Sequence, residues 1–207
     1  MEQELFNYVS AYKIYSEWLP KVPEKYPKIL SIHYNNYATV LKAFENHKAY
    51  ENALLLAFEY ANKFEDQDSQ ELQNLINKNL SLLYLNKGKI RLAKEYHSKI
   101  DTTNLDEDGK ATYQLSVGNI QKAEREYHAA LISFKAAIDL SMKAKNKNVL
   151  EIASASLLRT AILLERKNHQ IKIAKYVGLG ILILAILVVL SIPGYLSHKK
   201  ESIYNRY

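Results

Sequence analysis

Six histidines, His33, His47, His97, His128, His169 and His198, are the side chains of this 207-residue chain best suited to proton transfer or metal ligation. No zinc-binding motif occurs among them. The chain has no cysteine, which excludes a disulfide framework, a thiolate metal site and a cysteine nucleophile. It also lacks a glycine-rich phosphate loop, a nucleophile elbow and a paired-carboxylate signature. The acidic triplet Asp106-Glu-Asp108 has neither the alternate spacing nor the distal glutamate of a calcium loop. His169, in Glu165-Arg-Lys-Asn-His-Gln170, has no kinase-like surroundings and reads as a solvated residue rather than a phosphoacceptor. No enzymatic activity, cofactor or metal is expected. Recognition by polar side chains remains, and its geometry depends on the elements that carry them.

Those elements are helices. Proline occurs at Pro20, Pro23, Pro27 and Pro193, so residues 28–192 are free of it. Glycine before the last forty residues is limited to Gly88, Gly109 and Gly118. A sheet protein of this length needs turn punctuation about every 8–12 residues. The class is all-α. The net charge of +6 does not point to nucleic acid, because residues 166–207 carry seven Lys and Arg against one Glu and hold the whole excess.

Three segments share a pattern. They are Tyr50-Glu-Asn-Ala53-Leu54 with Ala57, Tyr60 and Ala61; Ile90-Arg-Leu-Ala93 with Tyr96, His97 and Ile100; and Tyr127-His-Ala-Ala130-Leu131 with Phe134, Ala137 and Ile138. Their opening residues lie 40 and 37 apart. Another amphipathic helix precedes each one, over about 28–46, 70–87 and 108–124, and Gly88 marks a tight turn between two of them. A small alanine lets the first helix of a pair approach, while Tyr or Phe one turn away fills the groove. A partial fourth copy appears at Tyr8, Ala11, Tyr12, Tyr15 and Trp18, a second helix without its first. The expected organisation is therefore 1–27 as a partial repeat, 28–145 as three helix pairs and 146–175 as a capping or stalk helix.

On these residues the chain resembles the tetratricopeptide repeat family over roughly residues 5–145. The resemblance implies a right-handed solenoid of antiparallel helix pairs that works by protein contact. Ala38 and Ser81 stand where the family has a glycine, and Gly118 keeps it. In such a solenoid the first helices line a concave groove, which places Asn35, Thr39, Lys42, Lys78, Leu82, Asn119 and Lys122 there. Lysines and asparagines suit an extended acidic peptide or a terminal carboxylate. Leu82 departs from the two-lysine, two-asparagine clamp of chaperone-binding members.

From Tyr176 to Ser197 the chain has 22 residues without a charge. As a helix this run is about 33 Å long, against a hydrocarbon thickness of about 30 Å. Tyrosines stand at both ends, and Arg166, Lys167, Lys172 and Lys175 precede it while Lys199, Lys200 and Arg206 follow. A single transmembrane helix is expected over 176–197, with a short basic tail over 198–207. Leu150, Leu157, Leu164 and Ile171 recur every seven residues ahead of it. A stripe like this either caps the last repeat, the preferred reading, or joins two protomers in a coiled-coil stalk.

No signal peptide is apparent in residues 1–19. Read literally, the repeats face the cytoplasm from a single-pass anchor. The arrangement also resembles bacteroidete-type transducers, in which a tetratricopeptide arm is joined through one membrane helix to a histidine kinase or DNA-binding output. That resemblance implies a periplasmic arm whose export signal and output domain lie outside these residues. The expected function is a membrane-anchored scaffold or sensor arm. The alternative is a self-sufficient tail-anchored adaptor that recruits cytoplasmic partners.

Overall fold

The computed structural model describes the backbone of residues 2–64 and 69–204 and the side chains of residues 7–64 and 69–185. Eight α-helices occur among the described residues: α1 (Glu2–Trp18), α2 (Pro27–Ala43), α3 (His47–Ala61), α4 (Ser69–Asn86), α5 (Ile90–Ser98), α6 (Glu107–Ala123), α7 (Tyr127–Ala144) and α8 (Lys147–Tyr204). A 3-10 turn, Leu19–Lys21, follows α1, and the described residues contain no strand. The chain divides into two compact units, 1–157 and 158–207.

Within the first unit the helices pack in sequential pairs, α2 with α3, α4 with α5 and α6 with α7. One turn design closes every pair. Glu45, Gly88 and Arg125 take left-handed φ angles of 55°, 69° and 63°, and Lys145 repeats the conformation (φ 57°) between α7 and α8. The next residue donates its N–H to the carbonyl five positions back. These bonds are Asn46 to Leu41 (3.1 Å), Lys89 to Tyr84 (2.8 Å), Glu126 to Gln121 (2.9 Å) and Asn146 to Ser141 (2.9 Å). This closure satisfies carbonyls that a helix end leaves without partners. Asn46 and Asn146 then start the following helices, their side-chain oxygens accepting from the amides of Ala49 (3.2 Å) and Val149 (3.0 Å).

Counting from these turn residues corrects the repeat register. The turns lie 43 and 37 residues apart, not 40 and 37. Tyr50 therefore corresponds to Ala93 and Ala130, and Leu54 corresponds to His97 and Phe134. All six are buried. Tyr50 looked like the opening residue of its segment because it is a large ring, yet it fills a core position where the other pairs carry alanine. Equally far before each turn residue on the first helices stand the small residues Ala38, Ser81 and Gly118, which are buried as well. At these equivalent positions the pairs trade volume: Ala with Leu, Ser with His, and Gly with Phe. A Cβ on Gly118 would meet Phe134 Cε1 at 2.6 Å, so only glycine fits beneath that ring.

The core runs through successive pairs, with Leu41, Leu54, Ile76, Leu80 and Ala93 in one cluster. Aromatic stacking supports it, Tyr34 on Tyr60 at 5.8 Å and Tyr84 on Tyr96 at 5.4 Å. The first helix has a partner after all. α1 packs on α2 through Tyr15 and Tyr37 (5.7 Å) and Trp18 and His33 (4.7 Å), and Leu19 is buried with Leu30 and Tyr60. Val149 and Ala153, at the start of α8, are also buried.

In the second unit, Tyr176, Val177, Leu179 and Ile181–Leu184 are all exposed, so apolar side chains face outward around the whole helix. Among the described residues no helix is long and apolar enough to cross a membrane. The expected span 176–197 continues past the described side chains at residue 185, and the basic tail lies outside them.

Candidate peptide-binding face

The first helices of the three pairs lie side by side, α2 against α4 and α4 against α6. Positions equally far from each turn residue therefore line up across this face. Thr39, Leu82 and Asn119 form one row, and Lys42, Leu85 and Lys122 another. Thr39 and Lys42 are exposed, as is Leu82 at 40%. Lys78 is half-buried on the same face. Asn119 accepts a hydrogen bond from Lys122 Nζ at 3.3 Å, and that ammonium lies 5.7 Å from the centroid of the Phe134 ring.

Asn35 departs from its expected place. It is buried, and its Oδ1 accepts from Asn79 Nδ2 at 3.0 Å, tying α2 to α4. The bond explains the burial, since an amide turned toward a neighbouring helix is stable only with a partner. Asn35 is a strut between helices and not a groove contact. In a further row, Ile32 (37% exposed), Leu75 (39%) and Thr112 stand at equivalent positions. The Lys-and-Asn pattern did not point to these apolar residues, although the periodicity carries them.

A cleft of about 240 Å³ opens where α4, α6 and the connection 99–106 meet. Glu71, Leu75 and Lys78 line it from α4, Asp108, Thr112 and Tyr113 from α6, and Ile100, Leu105 and Asp106 from the connection. Its wall is fixed by Asn74, whose Nδ2 donates to the Asp101 carbonyl (2.9 Å) and whose Oδ1 accepts from the Asp101 amide (2.8 Å). The acidic triplet serves a helix start. Asp106 Oδ1 accepts from the Gly109 amide at 2.7 Å, and Glu107 and Asp108 occupy the first turn of α6, where the helix dipole favours negative charge. Asp108 also accepts from Asn146 Nδ2, in the turn before α8.

On its other side Tyr113 borders a second cavity of about 330 Å³, lined also by Lys94, His97, Gln121 and Glu124. His97 is 6% exposed, its ring centroid is 4.4 Å from that of Tyr113, and its Nε2 has no protein partner. Burial pushes the imidazole pKa down, and a hydrogen bond to the Tyr113 backbone opposes the shift. Across the second pair, burial and a hydrogen bond to Glu51 push the Tyr84 phenol up to about 12. Glu51 is itself held low, chiefly by its bond to Lys87.

Among the described residues no group of three or more potential metal ligands occurs. No protein-family model matches the chain, and no curated protein matches it.

Proposed function

We propose that this chain is a membrane-anchored scaffold of the tetratricopeptide type, which holds a peptide segment of a protein partner along α2, α4 and α6. The observation that carries this reading is the aligned face itself. Three first helices in register present exposed Ile32, Leu75 and Leu82 among Thr39, Lys42, Lys78 and Asn119, beside an open cleft. Apolar anchors interleaved with hydrogen-bonding groups suit an extended segment that supplies both kinds of side chain. The anchor is supported by residues 176–185, whose apolar side chains are exposed on all sides of one helix. Water would have to solvate that surface at a cost of about 25 cal/mol per Å², which lipid removes.

Selection of a random dodecapeptide display library on the full chain in lipid nanodiscs tests the binding face. The selected peptides should bind at least tenfold more weakly to Leu82→Arg and equally well to Arg91→Ala on an exposed helix surface. Peptides indifferent to Leu82→Arg, or none selected at all, would overturn the reading. Ile183→Arg tests the anchor: alkaline extraction should leave the wild-type chain in the membrane pellet and release the variant. A transducer arm and a tail-anchored adaptor share this face and differ in its side of the membrane. Single cysteines at Asp68 and Ser202, labelled with an impermeant maleimide in intact cells, separate the two.

A further inference from the structure

The cleft among α4, α6 and residues 99–106 is opposite in charge to the rest of the face. Glu71, Asp106 and Asp108 line it, and Lys78 is its one cationic lining residue. Among the described residues no lysine or arginine forms an ion pair with any of those three carboxylates. A carboxylate has about four acceptor sites, and Asp106 and Asp108 each show a single side-chain acceptance. Capping α6 requires Asp106 but does not require a cleft. Nor does it require the apolar lining of Leu75, Ile100 and Leu105, with Leu75 39% exposed.

We propose that this cleft receives a basic side chain of the bound peptide, arginine in preference to lysine. The inference rests on the peptide-binding reading above and adds which residue of the peptide is read. An arginine stem lays its methylenes on Leu75, Ile100 and Leu105 while its guanidinium reaches the carboxylates. The planar fork can serve two carboxylates at once, and the Tyr113 ring offers a face for it to stack on. A neutral side chain in the same place would shield the carboxylates from water without replacing the lost hydrogen bonds, and an acidic one would add repulsion. The Asn74–Asp101 pair of hydrogen bonds holds the wall in place before the ligand arrives.

The peptides selected on the full chain in nanodiscs are the probe. Those that depend on Leu82 should share an Arg or Lys at a fixed position. Its replacement by Ala, and Glu71→Gln/Asp106→Asn in the protein, should each weaken binding at least tenfold. The two changes together should weaken it little more than either alone. Asn preserves the cap on α6, and far-UV circular dichroism checks the fold. A second variant, Thr112→Lys, places an ammonium in the cleft and should abolish binding of the basic peptides. Leu82-dependent peptides without a shared basic residue, or with affinity unchanged by the carboxylate and Thr112 variants, would overturn this inference and leave peptide binding intact. Absence of any Leu82-dependent peptide would overturn both.

Discussion

Replacing Gly118 with Ala tests the volume trade between paired helices. In an ordinary helix interior the change stabilises by about 1 kcal/mol through propensity alone. Here the new Cβ lies 2.6 Å from Phe134 Cε1, 2.7 Å from Cδ1 and 3.1 Å from Cζ. Carbon atoms rest at about 3.5–4.0 Å, so the ring must retreat by roughly 1 Å. Phe134 is wholly buried, so the ring can move only by displacing the side chains packed around it. Overpacking costs about 1–3 kcal/mol, and a 2.6 Å approach to a buried ring belongs in the upper part of that range, about 2–3 kcal/mol. Set against the propensity gain, this leaves a net loss of about 1–2 kcal/mol. That corresponds to a fall in Tm of about 3–6 °C for a chain of this size. Phe134→Leu alone should also destabilise, by about 1–2 kcal/mol, through the cavity it leaves. Together the two substitutions recreate the Ala38 and Leu54 combination of the first pair. The double variant should therefore lose no more than about 1 kcal/mol, a favourable coupling of at least about 1 kcal/mol. Urea and thermal unfolding of the full chain in one detergent, followed by far-UV circular dichroism, measure all four corners of the cycle. A rise in Tm for Gly118→Ala, or additive losses in the double variant, would refute the reasoning.

The turn residues predict opposite signs at equivalent places. Gly88→Ala should cost about 1 kcal/mol from its left-handed φ alone, since nothing lies within 4 Å of the added Cβ. Glu45→Gly, Arg125→Gly and Lys145→Gly should each gain up to about 1 kcal/mol in the same unfolding assay. His97 makes stability pH-dependent. Its folded pKa lies below its unfolded value of about 6.5, so the unfolded chain binds the proton more tightly. Its contribution is complete above about pH 6.5 and is lost as pH falls through the folded pKa; His97→Leu should flatten that limb of the stability–pH profile. The Tyr84 phenol, raised to about 12, should ionise well after the exposed tyrosines in a titration followed at 295 nm. Stability should fall between about pH 10 and 12, and less steeply in Tyr84→Phe.

Helix content and pairing were legible because they depend on local composition. A proline-free stretch, scarce glycine and small residues spaced among aromatics leave few alternatives to packed helices. The register of the first pair was not, because Tyr50 carries the residue type of an opening position and the depth of a core one. The turns at Glu45, Arg125 and Lys145 were equally hidden. Their left-handed conformation is imposed by the hydrogen bonds on either side, and only Gly88 announces it in its residue type. At the candidate face, Thr39, Lys42, Lys78 and Leu82 are partly or fully open to solvent, where the tetratricopeptide resemblance placed them. Asn35 is not, because its burial follows from Asn79, 44 residues away. The cleft is illegible in the sequence for the same reason. It needs the connection 99–106 folded against α4 by Asn74, a long-range bond that no pattern within one helix encodes.

The nine-residue α5 has mechanical consequences. Its counterparts α3 and α7 run for 15 and 18 residues. The inner row that ends in Ala61 and Ser141 therefore has no equivalent in the second pair, where the chain has already left the helix. In an array where each pair is held only by its neighbours, resistance to tension is set by the weakest junction. Under a load applied along the array, the second pair is the fuse. It would yield before the pairs on either side and let the chain lengthen in a discrete step, with α2–α3 and α6–α7 still intact.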